Sequence, residues 1–131
     1  MVFLEQITDC IKSIQDETSK NYLWEKYKDL LLYGSEIQTL NQLTDFQFGF
    51  LSLLEKNWDA LIVPSINKNV IEEFDSWYEE EGSYNEILVH SFDLRNLEQG
   101  DWEITFEDDN EDLIVHMYMK GWDCDYTART G

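Results

Sequence analysis

Metal or acid–base chemistry in this 131-residue chain would have to be done by its 28 aspartates and glutamates and its two histidines. Asp108, Asn110 and Asp112 alternate as oxygen ligands do in a calcium loop. The sixth position of such a loop, however, is Leu113 where a glycine makes the sharp turn. The twelfth is Met119 where a bidentate glutamate closes the site, so the stretch is not an EF-hand. A weak divalent site among Asp108, Asp109, Asp112, Asp123 and Asp125 is the remaining metal reading. His90 and His116 stand in no zinc-ligand spacing. On an alternating strand His116 shares a face with Ile114 and Tyr118, the place of a packed or rim histidine. Nucleophilic catalysis finds no GxSxG motif, and Cys124 lies between Asp123 and Asp125, whose charges raise a thiol pKa. The glycines, at positions 34, 49, 82, 100, 121 and 131, are too scattered to cradle a phosphate. An acidic surface offers many carboxylate pairs for glycoside hydrolysis, and nothing singles one out. The chain reads as a binding protein and not an enzyme, with no catalytic residue, no metal and no cofactor.

The charge balance says what it could bind. Nine Lys and Arg against 28 Asp and Glu leave a formal net charge of −19. Phosphate neutralisation needs Lys and Arg, so DNA and RNA are excluded as partners, and anionic membrane surfaces are disfavoured for the same reason. The distribution is lopsided. Residues 1–68 carry six basic and ten acidic side chains, net −4; residues 69–131 carry three and eighteen, net −15. Self-repulsion of that density costs stability, whereas a cationic partner would be steered in by it. The bland alternative is a solvated, solubility-giving surface, but solubility does not require the charge to be gathered in one half.

The length is that of one ordinary domain, 1–131, and a hydrophobic fraction of 43% with seven Phe, five Trp and seven Tyr supplies its core. Phe3, Ile7, Ile11 and Ile14 recur at helical spacing. A second helix is predicted from about Lys20 to Tyr33, burying Leu23, Tyr27, Leu30 and Leu31, with Gly34 as its left-handed C-terminal cap. A short helical piece is expected around Ser35–Leu40. Thr44-x-x-Gln47 is a capping box for a third helix carrying Phe50, Leu53, Leu54, Trp58 and Leu61, which Pro64 should end. Asn69-x-x-Glu72 has the form of a further cap, for a helix with Val70, Phe74, Trp77 and Tyr78 on its apolar side, closed by Gly82. Beyond Gly82 the period changes to two. Trp102, Ile104 and Phe106 alternate with acidic and polar residues, 107–112 is a turn, and 113–119 reads as a central strand covered on both faces. Residues 86–93 make a third strand. The fold class is α+β: N-terminal helices, about 1–82, packed on a small C-terminal antiparallel sheet, about 83–131.

The N-terminus lacks the basic and apolar regions of a signal peptide, no run is long enough to span a bilayer, and Cys10 and Cys124 form no CxxC pair. A cytoplasmic protein with reduced thiols is expected.

The small acidic domain, the order of helices then strands, and the aromatic–acidic run Gly121-Trp122-Asp123-Cys124-Asp125-Tyr126 resemble the immunity proteins that bacteria make against their own polymorphic or contact-dependent toxins. The resemblance is one of profile and carries over no functional residues. It implies a tight one-to-one complex with a basic toxin domain, often a nuclease, whose active site or nearby exosite is blocked. Charge and aromaticity mark the partner-binding candidates: Glu79, Glu80 and Glu81; Asp108, Asp109, Glu111 and Asp112; and Trp122, Asp123, Asp125 and Tyr126, with the two aromatics as apolar anchors among carboxylates. The alternatives are an interaction module unconnected with toxins and a small metal-dependent hydrolase.

Overall fold

A computed structural model describes residues 2–130, without the side chain of Glu81. Helix α1 (Val2–Ile11) buries Phe3, Ile7 and Cys10. It stops short of the predicted Ile14 because Ser13 folds back, its N–H and its hydroxyl both donating to Cys10 O, at 3.1 and 2.8 Å; Ile14 is buried nonetheless. Helix α2 (Glu17–Ser35) starts earlier than Lys20, since Asp16 is itself the cap and accepts from Ser19 N–H at 2.9 Å. Its left-handed residue is Glu36, at φ 59°, and not the expected Gly34. Gly34 remains helical because a close approach needs it: a Cβ there would lie 2.0 Å from Phe92 O. The piece expected near Ser35–Leu40 is a 3-10 turn at Leu40–Gln42.

The capping box forms as predicted. Thr44 Oγ1 accepts from Gln47 N–H at 3.1 Å, and Gln47 Oε1 accepts from Thr44 N–H at 2.9 Å, opening α3 (Asp45–Asn57). Thr44→Ala should lower stability by about 1 kcal/mol in urea denaturation, with Thr44→Ser close to the native value. Pro64 does not end the helical run. Two π turns, Trp58–Ile62 and Ile66–Val70, flank the short α4 (Val63–Ser65), and α5 follows (Ile71–Glu81). In the first widened turn Val63 N–H reaches back five residues to Trp58 O. That shifts the hydrogen-bond register just before Pro64, whose ring would otherwise meet a carbonyl four residues back. Because the backbone stays helical, the cap expected at Asn69 does not form; its side-chain amide donates instead to Ser65 O at 3.0 Å. Gly82, at φ 112°, closes the run as predicted.

Four strands follow: β1 (Ile87–Asp93), β2 (Asp101–Asp108), β3 (Ile114–Lys120) and β4 (Asp123–Thr130), an antiparallel meander in the order β1-β2-β3-β4. The fold is thus α+β with helices first and sheet last. Strand β4 carries no alternating apolar signal in the sequence, because its only part-buried positions are Cys124 and Thr127. The central strand β3 alternates instead of being covered on both faces: Val115, Met117 and Met119 are buried, whereas Ile114, His116 and Tyr118 are half-buried. One sheet face therefore packs on the helices, burying Phe92, Trp102, Ile104 and Phe106 in a core shared with Phe50, Leu54 and Phe74. The end of α2 covers the edge of β1. Ser35 Oγ donates to Phe92 O at 2.7 Å and accepts from Leu94 N–H at 2.9 Å, pairing edge groups that would otherwise need water.

Candidate functional site

The sheet's second face is polar. Glu103 and Glu107 of β2 project from it, with Thr105 between them buried under its neighbours and hydrogen-bonded to Ser91. Both histidines stand here. His90 Nε2 lies 3.8 Å from Glu107, and His116 Nδ1 lies 3.4 Å from Glu103. His116 is therefore the rim histidine that the strand pattern suggested.

At one end this face sinks into a cleft of about 250 Å³. Its walls carry Asp93, Asp101, Glu103 and Asp125, with Lys120 as a lining cation and the Tyr118 and Tyr126 rings on one side. The two tyrosines stack at 4.5 Å between centroids and 20° between planes. Tyr126 keeps 54% of its surface exposed. Burial first, and then the neighbouring Glu103 carboxylate, push the Tyr118 hydroxyl above its ordinary pKa. A bulge in β4 adds a carboxylate to the lining. Tyr118 pairs with Tyr126 but Met119 pairs with Cys124, which leaves Asp125 as the extra residue, turned out to line the cleft. Asp93 is held by Arg95, whose Nε and terminal nitrogen reach its two oxygens at 3.0 and 2.7 Å.

The partner-binding candidates fall into two groups at opposite ends of β2 and β3, roughly 20 Å apart at about 3.3 Å per residue. Glu79 and Glu80 at the exposed end of α5 lie with Asp109, Glu111 and Asp112 at the β2–β3 turn, the two segments being tied by Asn110 Nδ2 donating to Ser83 O at 2.7 Å. The side chain of Glu81 is outside the described residues. Trp122, Asp123, Asp125 and Tyr126 are at the far end. No five-carboxylate divalent site can gather across that separation, and among the described residues no three His, Cys, Asp or Glu side chains are grouped so as to hold a metal.

One candidate needs correction, and two others stand in surroundings that the sequence did not show. Asp108 is not a surface charge: it is 1% exposed, accepts from the Tyr78 hydroxyl, and accepts from Asp112 N–H at 3.1 Å. It continues the inward series Trp102, Ile104, Phe106, because β2 runs two residues into the predicted turn. Asp109 is exposed but committed to the hairpin. It accepts from Asn85 N–H at 2.8 Å and Glu86 N–H at 3.1 Å, and these donors hold its pKa below the ordinary carboxylate value. Trp122 does not join Tyr126. Its indole is half-buried on the helix side against Phe3, with centroids 4.9 Å apart, and its Nε1–H donates to Gln6 Oε1 at 3.0 Å. The two aromatics therefore look out from opposite faces of the sheet.

Sequence reasoning missed Asp93, Asp101, Glu103 and Tyr118 as cleft residues. The alternation of β2 already placed Glu103 on an acidic outer face, but the cleft needs the register with β3 and the bulge in β4. Cys10 and Cys124 are both free, and the Cys124 thiol is raised first by burial and then by Asp125. No described helix is long and apolar enough to cross a membrane.

The architecture defines a class: a helical layer on a four-stranded antiparallel meander with an uncovered, acidic outer face. Protein-family models, curated proteins and solved structures gave no match to this chain.

Proposed function

We propose that this protein is an acidic immunity-type inhibitor that binds a basic toxin domain, a nuclease being the natural target, and blocks it through the sheet's outer face and its rim. The observation that carries the reading is the cleft beside the Tyr118–Tyr126 pair, which four carboxylates from three strands, β1, β2 and β4, line around an exposed aromatic. A catalytic groove that holds phosphates is lined with Lys and Arg, and this surface offers the complementary charge. The strands that carry it are braced from behind by the shared core, so little ordering entropy is lost on binding. The protein works on this reading by occupancy and not by turnover, in the cytoplasm of the cell that makes the toxin.

The test is kinetic. Co-expression should protect cells from the basic C-terminal domain of a secreted protein encoded directly upstream. With that purified domain, the association rate constant should fall at least about tenfold between low and high salt. The double substitution Glu103→Lys with Asp125→Lys should produce a fall of about the same size at low salt. A neutral or acidic partner, or a rate indifferent to both changes, overturns the proposal.

A further inference from the structure

We propose that the cleft between β2, β3 and β4 is a receptor for one arginine side chain of the partner, a selectivity that goes beyond general attraction to positive charge; the inference rests on the inhibitor reading above. Size comes first. At about 250 Å³ the cleft falls just below the range of roughly 300–1,000 Å³ in which small-molecule sites usually lie, so a single long side chain fits it better than a metabolite does. Chemistry then separates arginine from lysine. The near-parallel Tyr118 and Tyr126 rings give the cleft an aromatic lining with Tyr126 largely exposed, and a planar guanidinium packs against such rings better than a compact, strongly hydrated ammonium does. The carboxylates stand on separate strands: Asp101 and Glu103 on β2, and Asp125 on the β4 bulge. The wide planar fork of a guanidinium offers five donors in fixed directions to such separated acceptors, against three on the compact head of a lysine.

The rim already shows this recognition at work, since Arg95 lies bidentate on Asp93. That pair takes Asp93 out of competition and leaves Asp101, Glu103 and Asp125 for the incoming group. The one lining cation, Lys120, sits across from Asp101 in the β2–β3 register, on the exposed last residue of β3, where it can swing towards solvent. His116 approaches Glu103 at 3.4 Å from the side and donates no well-formed hydrogen bond to it.

The full chain is titrated with N-acetyl-arginine amide and, at matched ionic strength, N-acetyl-lysine amide, following backbone amide and tyrosine ring resonances. Saturable shifts confined to residues 101–103, 118 and 124–126 are expected, with arginine binding about fivefold tighter than lysine. Tyr126→Ala and Asp125→Asn, both at exposed positions, should each remove most of that preference. Glu79→Gln with Glu80→Gln, at the other end of the sheet, should leave it unchanged. Equal response to both amides, shifts spread over the whole acidic surface, or a preference that survives Tyr126→Ala overturns the arginine site while leaving salt-steered inhibition standing. Arginine selectivity without any basic partner would do the reverse, keeping the cleft and removing the inhibitor.

Discussion

Gly34→Ala should lower folding stability by about 3 kcal/mol or more, the upper end of what forced overpacking costs. The added Cβ would sit 2.0 Å from Phe92 O and 2.4 Å from Phe92 C. These are backbone atoms of a strand paired along its length with β2, so they cannot swing away as a side-chain tip does. The remaining adjustment is for α2 to lift off β1, and that breaks both bonds that Ser35 makes with Phe92 and Leu94. It also opens the contact between Tyr27 and Phe92, whose rings are 5.9 Å apart. Urea denaturation should show a much lower midpoint, or far-UV circular dichroism should show that the variant does not fold. A midpoint equal to that of the native protein would mean that α2 and β1 do not meet as closely as described.

Asp108→Ala should cost about 2–4 kcal/mol, because it strands two hydrogen-bond donors where water is scarce. The Tyr78 hydroxyl and Asp112 N–H both point at the Asp108 carboxylate, which lies on the core side of the sheet. Asp108→Asn, which keeps one carbonyl oxygen, should recover part of the loss. Pairing this variant with Tyr78→Phe gives a sharper check: the two effects should be strongly non-additive, since removal of the hydroxyl also removes the donor that Asp108 satisfies. The companion variant Asp112→Ala, at an exposed side chain, should leave stability within about 0.5 kcal/mol of native. If Asp108→Ala proved as mild as Asp112→Ala, the carboxylate would be a surface group after all.

These two residues also show how far the sequence can be read. Capping and periodicity were legible wherever their causes lie within one turn. Thr44 and Gln47 satisfy each other's backbone three residues apart, and Phe3, Ile7 and the Trp102–Ile104–Phe106 series are buried as their spacing implies. Gly34 misled because its absent side chain serves a strand 58 residues away, not the end of its own helix. Pro64 misled because a widened turn upstream absorbed the register change that a proline demands. Asp108 escapes a local reading because it stands in a polar run of turn composition, through which the two-residue period nevertheless continues.

The same division holds for the candidate site. Composition and charge pattern were enough to establish an acidic α+β chain, its order of elements, and the alternation that turns Glu103 and Glu107 away from the core, since all of these follow from local spacing and summed charge. Whether carboxylates stand together is a different matter, set by pairing between distant segments. The meander register and a bulge in β4 bring Asp125 and Tyr126 into the same cleft as Tyr118 and Glu103. The same packing turns Trp122 towards the helices. A one-residue change in strand pairing reverses which face a side chain occupies, and no local pattern records it.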